Sequence, residues 1–508
     1  MSNCGELSTS SSFARPLSKR VHVQQSLLVL VHLHLLRRLL SHTINKIPNL
    51  TNRQLTALKT VLPVFFGQVG YVSNHFLDSS LQAVKVNFQL HTFHADLKHF
   101  PKLISLASFC GADLESVFLH TYGTLEIAKY LNYSDLVTGL RILLREPSDI
   151  EFLNNASSSF TFLKQLEVVV RRRSVSMLLI EALKTNNSVT SIDLGFYSMG
   201  DQSARALAAA LKVNTSVTGV SMLSNSIGAE GAKSLADALK VNNTVTTLNL
   251  HQNNIGAEGA RALAEALKVN ATVSSVHLGG NSIGAEGAKS LADALKVNNT
   301  VTKLNLHKNN IGAEGARALA DTLKVNVTVT SINLGRNSIG NEGARALADA
   351  LKLNASVTSV DLERNSIGDE GARALTDALK LNASVSIVDV SYNSIGAEGA
   401  RALAEALKVN ASITSVDLTL NYIRVEGARA LAEALKVNTS VTSINLSINS
   451  IGDEGAKALA EALKVNTSVT SIVLESNSIE AEGAKALADA LKVNHRVEIV
   501  GVSELSCC

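Results

Sequence analysis

An asparagine that follows Leu-Lys-Val, Leu-Lys-Leu or Leu-Lys-Thr recurs at Asn186, Asn214, Asn242, Asn270, Asn298, Asn326, Asn354, Asn382, Asn410, Asn438, Asn466 and Asn494. Every step is 28 residues, with no insertion. A strict period of this length marks a chain built from stacked supersecondary units, each too small to bury its own apolar face. The usual division of 508 residues into globular domains therefore does not apply to the last two-thirds of this chain.

One unit, Asn242 to Val269, reads "NNTVTTLNLHQNNIGAEGARALAEALKV". Its first part, Val245-x-x-Leu248-x-Leu250-x-x-Asn253-x-Ile255, alternates like a short strand with one buried face. Its second part, Glu258 to Lys268, places Ala260, Leu263, Ala264 and Leu267 on one helical stripe. Glu258 suits the positive end of that helix and Lys268 the negative end. Arg261 and Glu265 stand at i,i+4 spacing on the outside. Strands stack at ~4.8 Å and helices at roughly 10 Å, so a column of such units must curve, strands inside. Inner alanines let the helices approach the sheet closely.

After each strand stands another asparagine: Asn225, Asn253, Asn281, Asn309, Asn337, Asn365, Asn393, Asn421, Asn449 and Asn477. Backbone groups that leave the sheet at that point need partners. An amide both donates and accepts, which predicts a structural ladder between adjacent turns. The pattern "NxIGxEGAxALAxALKxN" resembles the ribonuclease-inhibitor-like class of leucine-rich repeats, and most closely the repeat region of the NOD-like receptors. The resemblance covers about 163–502, with twelve strand segments from Val189 to Val497. It implies an α/β solenoid, a horseshoe with parallel strands on the concave face and helices outside.

Three domains are expected: 1–150, mainly helical and of no recognised family; 151–184, a junction and N-terminal cap; and 185–508, twelve repeats with a short C-terminal cap. Composition marks the division. All five prolines and nine of thirteen histidines lie in the first 150 residues, and no phenylalanine follows Phe196. That region carries 14 Lys+Arg against 9 Asp+Glu. Its apolar segments Leu27 to Leu40, Gln54 to Phe66 and Ser116 to Leu144 read as helices. Four cysteines in 508 residues form no disulfide framework, which favours a reducing, cytoplasmic setting. The run "SLLVLVHLHLL" is too short to span a bilayer, and no secretory signal is read, so no membrane is expected. A basic, acid-poor start makes mitochondrial targeting the minor alternative. The Cys507-Cys508 end resembles the prenylated tail of Rab GTPases, but this chain is not a GTPase.

Motifs that suggest chemistry dissolve into the repeat. In "GAEGAKS" an alanine separates Gly231 from Lys233, which breaks a phosphate-binding loop, and most other copies read "GAEGARA". The N-x-[ST] pattern recurs in step with the fold, as a turn residue would, and not as a glycosylation site. His251, His277 and His307 stand on consecutive strands. His251 and His307, two strands or about 10 Å apart, are too distant for one zinc ion. No catalytic set, cofactor or metal site is expected, and a net charge of +3 recruits no nucleic acid.

Function then rests on positions where the repeats differ. On the strands' outward face Lys303, Lys308, Arg336 and Arg364 form a basic patch, beside an acidic row of Asp361, Asp389 and Asp417 and an apolar-aromatic group of Tyr392, Leu420 and Ile448. Arginine and tyrosine commonly anchor interfaces. The chain reads as a non-enzymatic scaffold or sensor that binds a protein partner there. The alternative is a regulator of a small GTPase, resembling Ran GTPase-activating protein. Arg424 and Glu480 break the turn glycine of two units, and Tyr422 with Arg424 is a candidate edge contact.

Overall fold

The structure, a computed structural model, describes residues 89–90, 93–96, 113–114, 117–120, 139–155, 165–170 and 172–502. The chain divides into two compact units. In the first, the described residues form two parallel pairings, Gln89–Leu90 with Asp113–Leu114 and Phe93–Asp96 with Val117–His120. The expected helices Leu27 to Leu40 and Gln54 to Phe66 lie outside the described residues.

In the second unit fourteen parallel strands run in chain order, from Gly139–Leu144 to Glu498–Val500. Thirteen helices among the described residues alternate with them. Register is residue for residue: Ser275, Lys303, Ser331 and Ser359 stand side by side. The repeat therefore converts into straight columns across the sheet. In Lys303–Leu304–Asn305 the central leucine is buried while its neighbours face out. Leu306 and Ile311 complete the inner face, and Leu319, Ala320 and Leu323 close it from the helix Gly312–Leu323. Each fully buried leucine contributes about 1.5–3 kcal/mol.

The sheet reaches further back than the repeat alone predicts. Gly139–Leu144 with Pro147–Asn155, and Gln165–Val170 with Arg173–Ala182, are two degenerate strand-helix units at its N-terminal edge. Within Ser116 to Leu144, expected from its apolar run to be helix, Val117–His120 and Gly139–Leu144 are strands. A short apolar run suits either conformation, and here sheet pairing decides.

Two asparagine ladders hold the turns together. At the strand end, Asn253 Nδ2 donates to Met222 O of the preceding turn at 3.0 Å, and its Oδ1 accepts from Asn225 N and Ile227 N at 3.0 and 2.9 Å. At the helix end, Asn242 Nδ2 donates to Leu211 O at 2.8 Å, and its Oδ1 accepts from Thr244 N and Val245 N. The Thr244 hydroxyl donates to Val217 O at 3.0 Å. The nitrogen that glycosylation would modify is thus buried and engaged. Gly231 of the apparent phosphate loop is equally structural: a Cβ there would meet Ile227 Cγ2 at 2.7 Å and Ala204 Cβ at 3.0 Å.

The broken turn glycines have different physical standing. Gly256, Gly284, Gly312, Gly340 and Gly452 are left-handed, and Arg424 takes the same conformation at φ 58. Glu480 does not; its φ is −105, because Asp453 of the preceding helix accepts its N–H at 2.7 Å and that of Gly483 at 3.0 Å. Asp201, Asn341 and Asp369 hold Gly228, Gly368 and Gly396 in the same extended form. Arg424→Gly is therefore expected to raise stability by about 1 kcal/mol, while Glu480→Gly lowers it slightly. Thermal melts of the two variants check this, and equal shifts would remove the distinction.

The outer pairing also differs from expectation. Arg261 pairs with Glu258, and Glu265 is taken by Lys268 at 2.6 Å. These pairs are exposed and contribute little. Among the described residues no helix is long and apolar enough to cross a membrane.

Candidate functional site

The in-register sheet arranges the variable residues in files. Asp361, Asp389 and Asp417 occupy the third strand position of successive units, with Asn305, Asn333 and Asn445 in the same file. Each of these side chains caps its own chain two residues on. Asp361 Oδ1 accepts Glu363 N at 2.9 Å, Asp389 Oδ1 accepts Ser391 N at 2.9 Å, and Asp417 Oδ1 accepts Thr419 N at 2.8 Å. The acidic row therefore has a structural duty that asparagine performs equally in Asn305 and Asn333.

Its charge is unevenly compensated. Asn333 Nδ2 donates to Asp361 Oδ2 at 2.5 Å, and Asn445 Nδ2 donates to Asp417 Oδ2 at 3.2 Å. Asp389 stands between two aspartates. Burial raises its carboxyl to about 6; hydrogen bonds from Ser391 oppose this, and the charges of Asp361 and Asp417 add to it. Asp361 is raised too, first by burial. Because the folded pKa of Asp389 lies above its unfolded value, folding takes up a proton. Stability from this group is highest in acid and is lost as pH rises from about 4 through 6. Asp389→Asn keeps the cap to Ser391 and removes the charge. The variant is expected to melt higher than wild type at pH 7.5 and alike at pH 4, in paired thermal scans.

Lys308, Arg336, Arg364, Tyr392, Leu420 and Ile448 form a single file three residues beyond the aspartate file. Each donates its N–H to the next unit, as Lys308 to Gly335 O and Arg364 to Ser391 O, both at 2.8 Å. All six have left-handed backbone, φ 51 to 57. A side chain there is strained by roughly 1–2 kcal/mol, and β-branched Ile448 is the least suited to it. Tyr392, Leu420 and Ile448 remain 38%, 37% and 42% exposed. Lys303, expected in the same basic patch, is exposed but stands at the first strand position, with the aspartate file between it and this one. Lys303, Lys308 and Arg364 have no ion-pair partner among the described residues, whereas Arg336 binds Glu363 at 2.9 Å.

Glu363 was missed in the sequence because its file there looks featureless. That file reads His251, Gly279, His307, Gly335, Glu363 across five units, and its large side chains lean across the glycines. The rings of His251 and His307 stack at 6.4 Å over Gly279, closer than the strand spacing implies. His307 Nε2 lies 3.6 Å from Glu363 Oε2 above Gly335. A Cβ at Gly279 would sit 2.4 Å from the His251 ring, so the alternation is steric. Burial pushes all three imidazoles below their usual value, which keeps them neutral near pH 7. Among the described residues no three His, Cys, Asp or Glu are grouped to hold a metal ion.

A parallel strand, an asparagine-sealed turn and a return helix, repeated in register, define a leucine-rich-repeat protein. The family model described as the NLRC3 LRR domain matches residues 214–505, more than half of the chain, and the chain belongs to that family. No curated protein matches it. Among solved structures it is similar to the leucine-rich-repeat protein LegL7 from Legionella pneumophila, at 20% identity and TM-score 0.38, covering 63% of this chain and 95% of that one. Actin-binding site 2 of leiomodin-1 is similar at 20% identity and TM-score 0.24, covering 36% and 88%. The tropomodulin C-terminal domain from Caenorhabditis elegans follows at 13% identity and TM-score 0.27, covering 31% and 93%. Leucine-rich-repeat domains generally bind protein partners, and the fold is typically non-enzymatic.

Proposed function

We propose that this protein is a binding scaffold whose concave strand face takes a protein partner along the file from Lys308 to Ile448. One observation carries the reading. Six consecutive units place large cationic, aromatic and aliphatic side chains on left-handed backbone; Ser224, Gln252, Gly280 and Ser476 bound that run in the same file, and Phe196 stands apart from it at the N-terminal end. Strain retained at exposed side chains that support no core is best explained by contact with something outside the fold. No observation on this face favours the GTPase-regulator alternative.

The test is quantitative affinity capture with wild type and the double variant K308E/R364E. Neither residue has an internal ion-pair partner among the described residues, so folding is expected to be unchanged by circular dichroism. At least one captured protein is expected to fall more than tenfold. An identical set from both proteins would place the binding surface elsewhere.

A further inference from the structure

Resting on that reading, we infer that the occupant of the file is an extended peptide segment with an acidic block at one end and an apolar block at the other. The order of side chains is the argument. Lys308, Arg336 and Arg364 stand in consecutive units, and then Tyr392, Leu420 and Ile448 follow without interruption.

Neighbouring strands are ~4.8 Å apart, so five steps span about 24 Å, the length of roughly seven extended residues. Three or four residues thus lie over the cations and as many over the apolar half, with alternate side chains turned toward the file. Arg336 already shares its charge with Glu363, which leaves Lys308 and Arg364 as the net attraction.

The aspartate file sharpens the division. Asp389 and Asp417 stand in the units of Tyr392 and Leu420, so a carboxylate placed over the apolar half meets like charge uncompensated by a cation of the file, whereas Asp361 in the cationic half shares its unit with Arg364. An aliphatic residue placed over Lys308 or Arg364 would strip water from a cation without replacing it. An extended segment with interleaved residues turns either its acids or its apolar residues to the whole file and meets one of these penalties, whereas a segment in blocks meets neither. Side-chain contacts alone fix this polarity, so either chain direction satisfies it.

The experiment compares pools of seven-residue synthetic peptides of equal composition binding to the full chain. One pool has three Asp or Glu at one end and three Leu, Ile or Phe at the other. The second interleaves the same residues, and a third replaces the acids by Lys in blocks. The block-acidic pool is expected to bind at least tenfold better than the interleaved pool. In K308E/R364E the preference is expected to pass to the block-basic pool, an inversion that unfolding cannot produce.

Equal binding of block and interleaved pools would overturn the inference. So would the absence of peptide binding from a protein whose captured partner is lost in K308E/R364E, and the face would then read a folded surface. If neither peptides nor captured proteins respond to K308E/R364E, the binding reading itself fails.

Discussion

Asn337→Ala is expected to destabilise the repeat array by roughly 3–5 kcal/mol, far more than the loss of any exposed ion pair on the helices. Asn337 is buried, and its Nδ2 donates to Leu306 O at 2.9 Å across the turn and to Leu334 O and Gly335 O at 2.9 and 3.0 Å in its own. Its Oδ1 accepts Asn309 N at 2.8 Å and Ile311 N at 3.3 Å from the preceding unit. Alanine leaves those backbone groups buried with no replacement partner, and each such group costs about 1–3 kcal/mol. Asn337→Asp retains the acceptor but brings a buried negative charge toward three carbonyl oxygens, so it is not expected to rescue. Because each unit touches only its neighbours, the damage is local. Amide exchange should accelerate at Asn309 and Ile311 and stay unchanged at Asn225, four units away in the same file. A loss below about 1 kcal/mol by urea denaturation would mean that water replaces the amide and the ladder is dispensable.

The period of 28 made the scaffold legible, because burial and register both repeat with it. Leu304, Leu306 and Ile311 are buried for the same reason as Leu248, Leu250 and Ile255, and one unit predicts the next. What alternation does not encode is backbone sign. Nothing in the adjacent letters separates Arg424, held left-handed at φ 58, from Glu480 at φ −105; the difference lies 27 residues earlier in the chain, where Glu480 has Asp453 and Arg424 has Ala397. Alternation also hides local duties. Asp361, Asp389 and Asp417 read as a binding row, and the structure gives each a backbone amide to hold. The file of His251, His307 and Glu363 emerges only when columns are read across units, where glycines at 279 and 335 open room for large neighbours. That comparison was available in the sequence, and it would have found Glu363 as the partner of Arg336.

The triple variant K308G/R364G/L420G is expected to be more stable than wild type by about 2 kcal/mol while losing partner binding. Glycine removes roughly 1–2 kcal/mol of left-handed strain at each site and returns about 0.5–1 kcal/mol through the entropy of the unfolded chain. The three sites are two strands apart, about 10 Å, so their effects are expected to add. Gly280 shows that the file accepts glycine, at φ 68. Removing two cations and one apolar anchor takes away half of the proposed contact surface. Paired urea denaturation and affinity capture give opposite signs if strain is retained for binding. A fall in stability would show that these side chains support the fold, and the file would lose its claim as a binding surface. A rise in stability with capture unchanged would separate strain from function and move the search to other faces. The experiment turns on a general asymmetry: a side chain that only fills space in a fold is seldom cheaper to remove than to keep, whereas one held for a partner can be.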